Sequence, residues 1–368
     1  MLLEREDTDL NTLEPEYGQT PLLRASARGY DGIVRLLLER EDTNPNIPGA
    51  KCGQTPLLAA AVGRHEGTVR LLLQRKDLNP NTPDTTYSGT PLWWASGCGY
   101  EGIVKLLLER EDINPNTADI QYGRTALLLA VVSGHEGVVG LLLQRKDLKP
   151  NTPDTTYSGT PLWWASGCGY GGIVRLLLER EDINPNIPDT KYGQTPLLAA
   201  VIGRHEGEVR LLLQQKDLNP NTPDTRYSGT PLWWASGCGY EGMVRLLLER
   251  EDVDPNTADT KYYQTPLMWA TMCGYEGIVK LLLERKDLNP EIPDLSEKTA
   301  LELAMSRGQA RIVQLLSRPK PSPPTPINTK PAENMRPETL PQETILNSNN
   351  KRTIPPNNEG KPRKKLRA

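Results

Sequence analysis

Three histidines (His65, His135, His205) and four of the five cysteines (Cys98, Cys168, Cys238, Cys273) are the side chains with the chemistry for metal binding or nucleophilic catalysis. Their spacing argues against both uses. The histidines stand 70 residues apart, at one site in a repeating pattern. Ligands in alternate repeats lie on the order of 16–20 Å apart, since packed helices are ~8–10 Å apart. A metal–ligand bond is about 2 Å. The same distances exclude a common metal or a disulfide between alternate cysteines. Cys238 and Cys273 come closer, yet stay beyond disulfide reach under ordinary packing. The histidines therefore read as structural and the cysteines as half-buried free thiols. No Ser/His/Asp or Cys/His constellation assembles, and the glycines recur as helix breaks rather than in a phosphate-binding loop. No catalytic residue, metal or cofactor is expected, and the chain reads as a non-enzyme with no small-molecule substrate.

The aromatic residues are better placed for recognition. All seven tryptophans fall at two positions of the pattern: Trp93 with Trp94, Trp163 with Trp164, Trp233 with Trp234, then Trp269. Consecutive helical residues point about 100° apart, so both members of a pair cannot face the same neighbour. By register Trp94, Trp164 and Trp234 reach the inner, concave side, and Trp269 joins them as a candidate. Aromatic surface suits a partner site because it buries much area at low entropy cost. Tyr87, Tyr122, Tyr157, Tyr192, Tyr227 and Tyr262 each stand three residues before a recurring threonine.

These residues are carried by an internal repeat. The stretch Asn81 to Arg110 returns from Asn151 to Arg180 with two changes, and from Asn221 to Arg250 with three. A related unit begins between the copies, as at Thr55, so the period is 35 and the super-period 70. Nine units start at Thr20, Thr55, Thr90, Thr125, Thr160, Thr195, Thr230, Thr265 and Thr299. Each reads as helix, turn, helix, long loop. The threonine caps the first helix and the following proline suits its first position. Glycines such as Gly63, Gly99 and Gly134 stop that helix after about two turns. The second helix starts near His65-Glu66 or Tyr100-Glu101, with acid at its positive end and Arg or Lys at its negative end. Val104, Leu107 and Leu108 form one apolar stripe. Such a pair buries little alone, so the units must stack. Connectors such as Asn79 to Asp84 are rich in turn formers.

The pattern resembles the ankyrin repeat. The match runs from Gly53-Gln54-Thr55-Pro56-Leu57 through Ala59-Ala60 to Ile103 to Leu108, with Val138-Val139, Leu141 to Leu143 and the Gly134-His135 pair. It covers roughly Met1 to Arg318. The resemblance implies an all-α solenoid of helix-turn-helix repeats with loop or hairpin connectors, and a protein partner bound on the concave face and hairpin tips. It places the six tyrosines at those tips. Three departures stand out. The family's His after T-P-L is replaced by Leu58, Leu128, Leu198, Trp93, Trp163 or Trp233, so its hydrogen-bonding role is expected to be absent. The glycine closing the second helix is missing, with Arg-Glu-Asp or Arg-Lys-Asp in its place. Gly63-Arg64 and Gly203-Arg204 stand one place early.

The array is expected to span residues 1–318, with a partial repeat over 1–19. Met1 to Asp7 aligns with Leu106 to Asp112, so the chain is expected to start inside a second helix, as a shortened form of a longer array. The last unit reads as a polar cap, with Ser317 ending its leucine triplet. Residues 319–368 hold 11 Pro, no Trp and no Tyr, which predicts a disordered tail. The tail carries 10 Lys+Arg and 4 Glu, leaving the array with 33 basic and 42 acidic residues. Lys361, Arg363, Lys364, Lys365 and Arg367 form a basic cluster that could direct nuclear import. Nucleic acid is expected to bind only weakly, through this tail. No signal peptide or apolar run of membrane-spanning length is present, so a cytoplasmic or nuclear protein is expected, not a secreted or membrane one. The leading functional reading is a free-standing interaction scaffold. The alternative is the recognition or regulatory portion of a larger enzyme, such as a nucleotide-hydrolysing signalling protein.

Overall fold

A computed structural model describes residues 9–317. The alignment of Met1 to Asp7, the tail and the basic cluster from Lys361 lie outside the described residues. Within them the chain forms eighteen helices in nine pairs, from Pro21–Ala27 with Asp31–Leu38 to Ala300–Ser306 with Ala310–Leu316. There is no strand among the described residues; one isolated antiparallel bridge joins Ala118 and Thr125.

Each of the nine recurring threonines caps a first helix. The Thr90 hydroxyl, for example, accepts from the Trp93 N–H at 3.2 Å, with Pro91 at the first helical position. A cap of this kind is worth about 1 kcal/mol. The Thr299 cap is completed by Glu302, whose carboxylate accepts from the Thr299 backbone N–H at 2.7 Å. Helices of 7 or 8 residues are far too short to persist alone. They persist by stacking: first helices pack on first helices and second on second. One apolar core runs from Leu10 to Ile312. Its repeating members, such as Leu57, Leu92 and Leu127 or Val69, Val104 and Val139, are at most 1% exposed.

Polar seams tie each unit to the next. At the tips, Ile120 N–H donates to Tyr87 O, Thr155 N–H to Tyr122 O and Thr190 N–H to Tyr157 O, at 2.8–3.1 Å. At the far end an asparagine recurs every 35 residues, from Asn11 through Asn46, Asn81 and onward to Asn256. Asn81 is representative. Its Nδ2 donates to Asp112 O at 2.7 Å, and its Oδ1 accepts from Asn114 N–H at 2.8 Å. Arginines such as Arg110 close the missing-glycine end of the second helix. Arg110 donates to Leu73 O and Arg75 O of the preceding unit at 3.1 Å each, and holds Asp112 bidentately at 2.6 and 2.8 Å. The histidines form a fourth seam: His135 Nε2 lies 3.0 Å from Gly97 O, a bond in which the ring nitrogen donates. Their role is thus inter-unit hydrogen bonding.

The early Gly-Arg pairs have a local consequence. The turn after the first helix needs a left-handed residue, supplied by Gly99 at φ +71° and Gly134 at φ +74°. Arg64 and Arg204 must adopt φ 60° and 63° there, a conformation costing roughly 1–2 kcal/mol for an L-residue. Each is partly compensated by lying over a tyrosine ring, Arg64 on Tyr100 at 5.4 Å and Arg204 on Tyr240 at 4.9 Å.

Candidate partner-binding surface

The hairpin tips are organised by a buried aspartate six residues before the capping threonine. Asp84, Asp119, Asp154, Asp189, Asp224 and Asp259 are at most 4% exposed. One carboxylate oxygen of each accepts two backbone N–H groups of the tip; for Asp84 these are Thr86 and Tyr87, at 2.8 and 2.7 Å. The second oxygen distinguishes two kinds of unit. In units without the Trp pair it accepts a further backbone N–H, as Asp119 does from Arg124 at 2.8 Å. In Trp-pair units it accepts an indole instead: Trp94 on Asp84, Trp164 on Asp154 and Trp234 on Asp224, each at 2.6 Å.

The second tryptophan of each pair is therefore a half-buried strut of its own tip as well as a surface ring. The first is the one that reaches the next unit. Trp93 Nε1 donates to Arg124 O at 2.8 Å and Trp233 Nε1 to Gln264 O at 2.9 Å. The expectation that this position has lost its hydrogen bond is corrected for these two residues. An indole N–H has taken over, and only its absence from leucine makes the expectation hold at Leu58, Leu128 and Leu198. Trp163 Nε1 is buried without a partner.

In the three Trp-pair units the tip tyrosine completes an aromatic group. Tyr87 lies 6.4 Å from Trp93 and 5.8 Å from Trp94, and the two indoles meet edge to face at 5.2 Å. The same arrangement recurs around Tyr157 and Tyr227. Tyr122 and Tyr192 stand between these groups and Tyr262 beyond the last, each with a cation over its ring: Arg124 at 4.8 Å, Lys191 at 5.1 Å and Lys261 at 4.9 Å. Lys191 also lies over Tyr157 at 4.6 Å, and Arg124 over Trp164 at 5.8 Å, so neighbouring groups touch. The Tyr262 hydroxyl beside Lys261 holds that ammonium above the usual lysine range. The tip tyrosines are thus linked to Trp94, Trp164 and Trp234, which lie in first helices and brace the tips. These cations were not singled out from sequence, although their recurrence beside a tip tyrosine is a signal that could have found them.

Trp269 joins one group only. It meets Trp233 edge to face at 5.0 Å, and the two indoles line a cavity of 310 Å³ together with Tyr227, Trp234 and Tyr262. A larger groove of 790 Å³ lies elsewhere, along the second helices beside Gly137 and Gly140, with Glu101, Lys105, Glu179 and Arg180 at its edges. The five cysteines are exposed, correcting the half-buried reading. What cover they have pushes the Cys168 and Cys273 thiols up, the opposite of an activated nucleophile. No group of three or more His, Cys, Asp or Glu among the described residues is placed to hold a metal, and no described helix is long and apolar enough to cross a membrane.

Comparison with known proteins agrees on the scaffold. The family description "Ankyrin repeats (3 copies)" matches residues 41–119, 81–154, 113–189, 162–259 and 251–325, and "Ankyrin repeat" matches 17–50. No curated protein matches the chain. With repeats of one kind matched from residue 17 to residue 325, the chain belongs to the ankyrin repeat family.

Proposed function

We propose that residues 1–318 form a non-catalytic scaffold that binds a protein partner along its hairpin tips and first helices, the face that is concave in ankyrin arrays. Residues 319–368 form a separate basic segment on this reading, and the free-standing scaffold is preferred to a regulatory part of a larger enzyme. The observation that carries it is the tip line itself. Its rings are held by buried aspartates and by tip-to-tip hydrogen bonds, so little ordering entropy remains to be lost on binding. Tyr87, Tyr122 and Tyr262 remain 39–45% exposed, enough to meet a partner. Aromatic anchors are the residues that most often carry binding energy in protein interfaces.

The scaffold is tested by cross-linking capture with the intact chain. Replacing Tyr122, Tyr157 and Tyr192 together by serine is expected to cut capture at least tenfold, with a melting temperature within a few degrees of the parent. Undiminished capture by the folded variant would place the interface elsewhere. The paired tryptophans are poorer probes, since removing Trp94, Trp164 or Trp234 leaves a buried carboxylate oxygen without its donor.

A further inference from the structure

The cavity between the units starting at Thr230 and Thr265 is lined by rings of both units. The reason is one residue. Above Gly97 the next unit places Leu129, above Gly167 it places Ala199, and above Gly237 it places Trp269. Among the described residues, Trp233 and Trp269 are the ring pair that joins two units, edge to face at 5.0 Å. At 310 Å³ it sits at the lower end of the roughly 300–1,000 Å³ of ligand pockets, which suits one large side chain rather than a whole metabolite. Two of its indole N–H groups are already used: Trp234 donates to Asp224, and Trp233 to Gln264 O, while Trp269 Nε1 is buried without a partner. Five of its nine lining residues are aromatic, so the guest is mainly apolar.

Its rim has the opposite character. Arg226 lies over Tyr227 at 5.1 Å and Lys261 over Tyr262 at 4.9 Å. Position 226 is threonine in the two sister copies, Thr86 and Thr156, and position 261 is Gln121 after the first copy. The carboxylates nearby, Asp224 and Asp259, are 3% and 2% exposed and saturated by N–H donors. A guest therefore meets cations and no free acid. We propose that this cavity receives one large apolar side chain of a partner protein's extended segment whose flanking residues are acidic. The proposal rests on the protein-binding reading above. Lys261 disfavours a cationic guest, and the acidic array, with 33 basic against 42 acidic residues, disfavours a polynucleotide over a short acidic peptide.

The test uses the full chain and fluorescence anisotropy with four labelled probes. They are a short peptide with one phenylalanine among glutamates, the same peptide with glutamines, the glutamate peptide with serine for phenylalanine, and an oligothymidylate. The glutamate–phenylalanine peptide should bind tightest and weaken as salt rises from about 0.1 to 0.5 M. Arg226→Thr with Lys261→Gln, residues the chain itself uses at these positions, should weaken it about 3–20-fold while sparing the glutamine peptide. Trp269→Leu, the residue found at Leu129, should erase the preference for phenylalanine over serine. If Trp269→Leu fails to fold, the charge swap alone decides. Equal binding of glutamate and glutamine peptides, tighter binding of oligothymidylate, or no binding of any peptide overturns the proposal. A captured protein that cross-links only to other tips overturns the cavity assignment but leaves the scaffold standing; capture at no tip removes both.

Discussion

At the scale of single residues, the two kinds of unit are two solutions to one problem: how to satisfy the second oxygen of a buried tip aspartate. The backbone solution leaves room for a side chain before the capping threonine, as with Arg124, Gln194 and Gln264. The indole solution does not. A Cβ on Gly89 would stand 2.7 Å from the Trp93 ring and 2.8 Å from Trp94 Nε1, and Gly159 and Gly229 are crowded in the same way. Tyr-Ser-Gly-Thr and Trp-Trp are therefore one coupled choice. Gly89→Gln alone is expected to destabilise by about 1–3 kcal/mol, the range for overpacking. Combined with Trp93→Leu and Trp94→Ala, the arrangement around Leu198 and Ala199, it should recover most of that loss. Urea unfolding of the single and combined variants measures the coupling; simple additivity would refute it. The coupling could be seen in the sequence as co-occurring letters, but not its cause, because the indole contact spans ten residues and depends on the fold of the tip.

At the scale of elements, helix starts and stripes were legible because their signals are local. The Thr-Pro caps, the two-turn first helices and the Val/Leu face stand in the structure where the pattern puts them. The connectors were legible only as turns. Their asparagines and arginines act on residues 31 to 37 positions away, and only the 35-residue recurrence of Asn46, Asn81 and Asn116 hinted at a seam. The arginine clamp offers a natural experiment. Gln215 stands where Arg75, Arg145 and Arg285 stand in their units. Gln215→Arg should supply donors for Leu178 O, Arg180 O and Ile183 O and stabilise that junction by about 1 kcal/mol, read as slower hydrogen exchange there. An unchanged exchange rate would deny the clamp any stabilising role. The clamps also set the acid response. The arginine beside each of Asp77, Asp112, Asp147, Asp182 and Asp252 holds its carboxyl below the usual range, chiefly by hydrogen bonding. A depressed folded pKa contributes stability above the ordinary carboxylate pKa and loses it as pH falls through the folded value. These aspartates are about half exposed, so each contribution is small. The melting temperature should be flat from neutral pH to about 5 and fall below about 4. Changing all five to asparagine should flatten that fall.

At the scale of the whole array, the seams dictate how stability is distributed. The hydrogen bonds described between units span 31 to 38 residues, one unit and no more. The core is continuous, yet each helix pair packs mainly on the pairs before and after it. A chain built this way loses its fold where it is cut rather than all at once. Leu177→Pro is the sharpest cut available. Leu177 is fully buried near the end of the helix Gly171–Leu178. Proline removes a helical N–H and clashes with the preceding turn, at about 3 kcal/mol or more. It also displaces the capping bond from Arg180 N–H to Leu177 O, next to the clamp of the Arg180 guanidinium on Leu143 O and Arg145 O. Three contacts of one unit fail together, and so do the seams to its two neighbours. Hydrogen exchange of the variant should show protection lost around Thr160 to Leu178 and weakened in the adjoining units. Protection at Leu57 to Leu73 and at Leu267 to Leu282 should persist. Those two stretches are separated from the lesion by at least one intact unit. Uniform loss of protection from end to end would mean that the array folds as a single cooperative body and that nearest-neighbour seams do not limit how far a defect spreads.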